Sequence, residues 1–165
     1  MLKIVTDMPA WVIILLVFST LYCISFCFKK EVSIKFLLII PGGFMIFSII
    51  SLLQQGDVII TGLMWLAGCV VGGIVARRIF SPQTYSPGRK AGTITVPGTW
   101  SVFIIFLLYF PFRYYIGYRQ AMAADHALSI PLILLLAVSS GGVVGFFTLR
   151  SCIIFWRYKK LAVKE

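Results

Sequence analysis

Arg113, Tyr114 and Arg119 stand close together in this chain, and Asp125 and His126 follow a few residues on. Residues of these types could hold an anion or pass a proton, because a histidine titrates near neutrality. Arg113 lies inside an apolar run, where an ionisable side chain is a candidate site by default. It is also only about five residues from the end of that run, so its long stem can carry the charge to the headgroups. The same five residues then read as an interfacial anchor beside a solvated loop, with Tyr115 and Tyr118 as further interfacial rings.

A second place is Pro41-Gly42-Gly43, near the middle of another apolar run. Proline removes a backbone donor and the two glycines remove side-chain support, so a helix there should bend or open. Ser139 and Ser140, followed by Gly141 and Gly142, fall at a similar depth in the last run. Two breaks at one depth could expose backbone groups to a ligand. They could equally be kinks where helices approach closely.

Other chemistries find little support. Cys23 and Cys27, spaced i, i+4, could offer two soft ligands, but no histidine or acid is placed to complete a shell, and cysteine is also a common small core residue. No metal is expected. A lone histidine cannot supply two haem ligands within one chain, and no cofactor is expected. The acids Asp7, Glu31, Asp57, Asp125 and Glu165 all fall in connections or termini. No paired carboxylates or nucleophile–base pair appears, so no enzyme is expected. Gly88-Arg89-Lys90-Ala91-Gly92 lacks the spacing and the Lys-Ser/Thr ending of a phosphate loop. Its expected role is to meet phospholipid headgroups.

The elements that must carry these residues follow from composition. The chain has 165 residues, 60% hydrophobic and 12% charged, with a mean hydropathy of +1.00. That places it in the membrane class, and the connections are too short to bury a soluble core. Five apolar runs are long enough to cross a hydrocarbon layer of about 30 Å: 10–28, 33–53, 58–76, 100–118 and 129–149. They are continuous rather than alternating, which excludes barrel strands. The expected fold is all-α, a transmembrane bundle of five helices forming one integral membrane domain. The first run lacks a strong basic flank and a small-residue cleavage site, so it reads as a retained helix.

The net charge of +10 could suggest nucleic acid in a soluble protein. Here the basic residues flank apolar runs, so anionic phospholipids are the expected partner and nucleic acid is not. One set of flanks holds Lys29, Lys30, Lys35, Arg77, Arg78, Arg89, Lys90, Arg150, Arg157, Lys159, Lys160 and Lys164. The other holds only Lys3, Arg113 and Arg119. The positive-inside rule therefore puts the N-terminus outside and the C-terminus in the cytoplasm. Arg77, Arg78, Arg89, Lys90, Lys159 and Lys160 are the expected headgroup contacts.

Gly68 and Gly72 in the third run, and Gly141 and Gly145 in the fifth, have the spacing of close helix contacts. The two runs echo each other as Gly-Cys-Val-Val-Gly-Gly then Arg77, and Gly-Gly-Val-Val-Gly then Arg150. This can record a hairpin duplication or two independent small-residue faces. Between the third and fourth runs, residues 79–99 form a Pro/Gly loop. Its β-prone run Thr93–Val96 predicts a small hairpin with its tip near Pro87–Gly92. Residues 150–165 form a basic tail, of which the basic-aromatic stretch Phe155–Lys164 could continue the last helix along the membrane surface.

From Arg77 to Ala121 the chain has an arginine ending a Gly-rich helix, a Pro/Gly loop, and Val96-Pro97-Gly98-Thr99-Trp100. An aromatic helix follows, ending in Phe112-Arg113-Tyr114-Tyr115-Ile116-Gly117-Tyr118. This stretch resembles the DUF6622-type family of small bacterial inner-membrane proteins and, more distantly, CcdC-like membrane proteins. Where such proteins often show Pro-Gly-Ser-Trp, this chain has Thr99. The resemblance implies a bacterial inner membrane and brings no activity. The functional expectation is a non-enzymatic accessory or assembly component, partnered by lipid and by another membrane protein or a second copy. The alternative is a small oligomeric transporter or channel with a path near Pro41–Gly43 and Ser139–Gly142. As a test of orientation, a fluorescent protein fused after Glu165 should glow, and alkaline phosphatase fused there should be inactive. An active phosphatase would reverse the topology.

Overall fold

The computed structural model describes residues 10–53, 58–89, 92–122 and 129–162. Among the described residues there are five helices, α1 (Ala10–Ser25), α2 (Ile34–Leu53), α3 (Val58–Phe80), α4 (Ser101–Met122) and α5 (Ile130–Ala162), with strands β1 (Lys30–Ser33), β2 (Ser86–Pro87) and β3 (Thr93–Val96) between them. Three of these helices, at Val58–Phe80, Ser101–Arg119 and Ile130–Leu161, are long and apolar enough to cross a membrane. The chain packs as two compact units, Met1–Phe28 with Gly98–Leu128, and Lys29–Pro97 with Ser129–Glu165.

The larger unit is built on α3 against α5. A side chain at Gly68 would run into the Val138 carbonyl, and one at Gly72 into the Gly142 carbonyl. In return, Gly141 faces the Trp65 carbonyl and Gly145 the Cys69 carbonyl. The four glycines thus let two backbones touch, which is how helices gain dispersion contacts where lipid offers no hydrophobic drive. The pairing of Trp65 with Gly141, Cys69 with Gly145 and Gly73 with Leu149 makes α3 and α5 parallel.

Helix α2 runs antiparallel to α5. Phe44 stacks on Phe147 with centroids 5.3 Å apart, and the Ser151 hydroxyl donates to the Leu37 carbonyl at 2.9 Å. Helix α2 also meets α3, where the Trp65 indole donates to the Ser48 hydroxyl at 2.7 Å. These contacts correct the expected helix breaks. Both α2 and α5 are continuous through Pro41–Gly43 and Ser139–Ser140. Pro41 lacks the N–H that would serve the carbonyl four residues back. That carbonyl belongs to Leu37, and Ser151 takes the place of the missing donor. Ser139 and Ser140 donate to the Leu136 and Ala137 carbonyls of their own helix at 3.0 and 3.1 Å, so neither interrupts it. Gly42 and Gly43 face no atom within 4 Å of a notional side chain. They are therefore not sites of close approach among the described residues of this unit.

The expected hairpin forms, with a third strand that the sequence reading missed. The order is β1-β3-β2, all antiparallel, with Lys30 opposite Val96 and Ser33 opposite Thr93. At the tip Gly92 adopts φ +80, a conformation that other residues rarely take. Alternation in Thr93–Val96 turns Ile94 and Val96 inward, where they are buried with Leu37, Tyr85 and Ile154. Tyr158 and Leu161 pack on the same cluster. Ile154, Tyr158 and Leu161 share one helix face at i, i+4 and i+7. The sheet therefore gives the end of α5 something to pack on, and the basic tail continues the helix as far as Ala162. At 33 residues, α5 is about 50 Å long, well beyond a hydrocarbon layer of about 30 Å.

In the smaller unit α1 stops at Ser25 rather than at residue 28. Phe26 and Cys27 close the helix with i→i+3 bonds to Cys23 and Ile24. The freed Phe26 carbonyl accepts the Thr99 N–H at 2.9 Å, and Gly98 lies against the Cys27 carbonyl. The end of α1 thus meets the start of α4, and Gly98 and Thr99 mark that junction.

Ser151→Ala should cost about 1–3 kcal/mol by leaving the Leu37 carbonyl without its donor. In a Pro41→Ala background the restored amide should serve that carbonyl, and the cost should shrink markedly. Thermal unfolding of the four variants in detergent measures it. Equal cost in both backgrounds would show that Ser151 does not replace the proline's missing amide.

Candidate functional site at the basic end of the helices

Parallel α3 and α5, with α2 antiparallel to α5, bring three helix ends and the sheet to one side of the larger unit. Lys35 begins α2, Arg77 and Arg78 end α3, and Arg150, Arg157, Lys159 and Lys160 lie on the last three turns or so of α5. Lys29, Lys30 and Arg89 flank or sit in the sheet. At the opposite end of the unit, near Leu53, Val58 and Ser129, the described residues include no lysine or arginine.

The end of α3 is closed by side chains from two other segments. The Tyr85 hydroxyl donates to the Phe80 carbonyl at 3.1 Å, and Arg157 Nη2 donates to the Ser81 carbonyl at 3.0 Å. Both satisfy carbonyls that a helix end leaves open, and the arginine also complements the negative end of the helix dipole. Arg150 is only 5% exposed and lies over the Phe80 ring, 5.3 Å from its centroid. The sequence places it among the basic flanks that set the orientation, and its packing is internal. Burial pushes the Tyr85 phenol above its ordinary pKa, and the charges of Arg150 and Arg157 pull it part of the way back.

Between Pro82–Tyr85 and Trp156–Leu161 lies a cleft of about 870 Å³, lined on its α5 side by Trp156, Arg157, Lys159, Lys160 and Leu161. Lys160 Nζ sits 3.8 Å from the centre of the Trp156 ring, a cation–π contact one helical turn apart. Nothing local in the sequence announced the cleft. Its two walls are some seventy residues apart, and only the sheet's packing on α5 brings them together.

The other candidate residues are distributed as follows. Arg77, Arg78 and Arg89 are exposed, and the Arg89 amide donates to Glu31 Oε1 at 3.4 Å. Arg113 and Tyr114 are half-buried on α4, and Arg119 is exposed. Lys90, Asp125 and His126 lie outside the described residues. Cys23 is buried near the end of α1, and the Cys27 thiol lies 4.0 Å from the Cys23 carbonyl. Among the described residues no three His, Cys, Asp or Glu side chains come together as metal ligands.

The fold and this end define a helical membrane protein with a basic, sheet-braced terminus to its longest helix. Comparison with protein-family models, curated proteins and solved structures yields no match.

The Tyr85 shift has a definite sign. A phenol raised by burial is neutral in the folded state, so its contribution is intact below the ordinary tyrosine value of about 10 and is lost as pH rises beyond it. Wild-type stability should therefore fall as pH rises above about 10, and Tyr85→Phe should flatten that fall while losing some stability at neutral pH. Identical alkaline profiles would remove Tyr85 as the group responsible.

Proposed function

We propose that the chain is a multi-pass component of a bacterial inner membrane, with its N-terminus outside and its C-terminus in the cytoplasm. It acts without catalysis, as an accessory or assembly partner whose basic end engages the anionic membrane surface. The observation that carries this reading is the segregation of charge in the larger unit. Its described lysines and arginines gather at the end that carries the sheet, as the positive-inside rule requires of a cytoplasmic face. The length of α5 supports it too, since the helix must leave the hydrocarbon, and its polar stretch is the part that does. Kinship with the inner-membrane family that Arg77–Ala121 resembles belongs to this proposal and rests on those motifs.

Two features favour an accessory role over a conduction path. The polar groups at the level of Pro41 and Ser139–Ser140 are already engaged in hydrogen bonds, Ser139 and Ser140 within α5 and Ser151 across to α2. The glycines of α3 and α5 are filled by each other's backbones. What α2 presents outward is apolar, with Ile39, Ile46, Phe47 and Leu53 each more than 60% exposed, a face suited to lipid or to another membrane helix.

Cysteine scanning tests the choice in intact cells. Gly43→Cys and Ser140→Cys should resist an aqueous maleimide, and cysteines on the outward face of α2 should cross-link to one neighbour, a second copy or a distinct membrane protein. Ready labelling at both positions would favour the transport path instead.

A further inference from the structure

A diffuse attraction between a basic surface and anionic lipid needs only accessible charge. The cleft between Pro82–Tyr85 and Trp156–Leu161 has more structure than that. Its cations are held in place, because Arg157 is fixed on the Ser81 carbonyl and Lys160 on the Trp156 ring. A guanidinium has five N–H donors in a rigid fork. One of Arg157's is used on Ser81, which leaves others to face the cleft. Arg150 and Arg157 both act electrostatically on Tyr85, so the potential at that wall is positive. Among the described residues that line it there is no acid. The volume of about 870 Å³ suits a bound molecule rather than a single ion.

We propose that this cleft is a discrete seat for the phosphate headgroup of one anionic phospholipid. The inference rests on reading this end as the one at the membrane surface, and deepens that reading from a charged patch to a stoichiometric site. The apolar part of the lining points to lipid rather than to a soluble phosphate. Trp156, Leu161 and Pro82 offer a surface for the glycerol and first acyl carbons, while Arg157 and Lys160 offer donors for the phosphate oxygens. Arg157 would bind bidentately and Lys160 as a point charge.

The test uses the full chain in mild detergent, with native mass spectrometry to count and rank retained lipids. One phosphatidylglycerol should be retained in preference to phosphatidylcholine. Arg157→Gln and Lys160→Gln should each weaken that retention by about tenfold or more. Arg77→Gln/Arg78→Gln removes charge outside the cleft and should leave it nearly unchanged. Among the described residues Lys160 is held by the Trp156 ring and not by the end of α3, so Lys160→Gln remains informative if Arg157→Gln unfolds that end. Equal weakening by cleft and control variants would overturn the discrete site and leave the surface reading intact. Absence of any preference for phosphatidylglycerol would overturn both. Displacement of the lipid by millimolar glycerol phosphate or inorganic phosphate would make this a soluble-anion site, and would overturn the lipid assignment alone.

Discussion

The contact on which the larger unit depends is backbone against backbone, where α3 and α5 meet through Gly68, Gly72, Gly141 and Gly145. In hydrocarbon there is no hydrophobic gain from pressing two apolar helices together, so the pair must be held by close dispersion contacts. Glycine permits those contacts, and any larger residue would meet a carbonyl oxygen. Once the pair is set, Trp65 and Ser48 fix α2 against α3, and Phe147 and Ser151 fix it against α5. The parallel direction of the pair then decides which helix ends share a side, and hence where the positive charge collects.

Pro41 shows how a local weakness is absorbed by tertiary structure. Inside a membrane an open carbonyl has no water to turn to, so a helix carrying proline needs a donor from elsewhere. Ser151 supplies it across more than a hundred residues of sequence, and the helix stays whole. The paired small residues at Gly42-Gly43 promised the same kind of local effect and produced none, because no neighbour comes near them.

Much of the helical layout was legible from apolar run length alone, since twenty apolar residues have few alternatives in a bilayer. The glycine spacings in α3 and α5 were equally readable, because a small-xxx-small repeat has one common use. The ends of the helices were not. Helix α5 overruns its apolar run by more than a dozen residues because Ile154, Tyr158 and Leu161 pack on a sheet whose first strand, Lys30–Ser33, has no strand-like pattern of its own. Four residues with two charges read as a connection, and only pairing with Thr93–Val96 makes them a strand. Likewise Arg150 belongs by type to a basic tail, and its burial against Phe80 could not be read from its neighbours in sequence. The cleft was illegible for the same reason, as both of its walls are consequences of long-range packing.

The parallel arrangement of α3 and α5 also limits how such a chain can change over time. Two helices that point the same way cannot be joined by a tight turn, because the chain leaves the first at one end and enters the second at the other. The connection from the end of α3 at Phe80 to the start of α5 at Ile130 must therefore regain the length of the pair. A tight turn in its place would reverse α5 and bring its glycines to α3 in the wrong order. The direction of the two helices thus sets a lower limit on the length of chain between them.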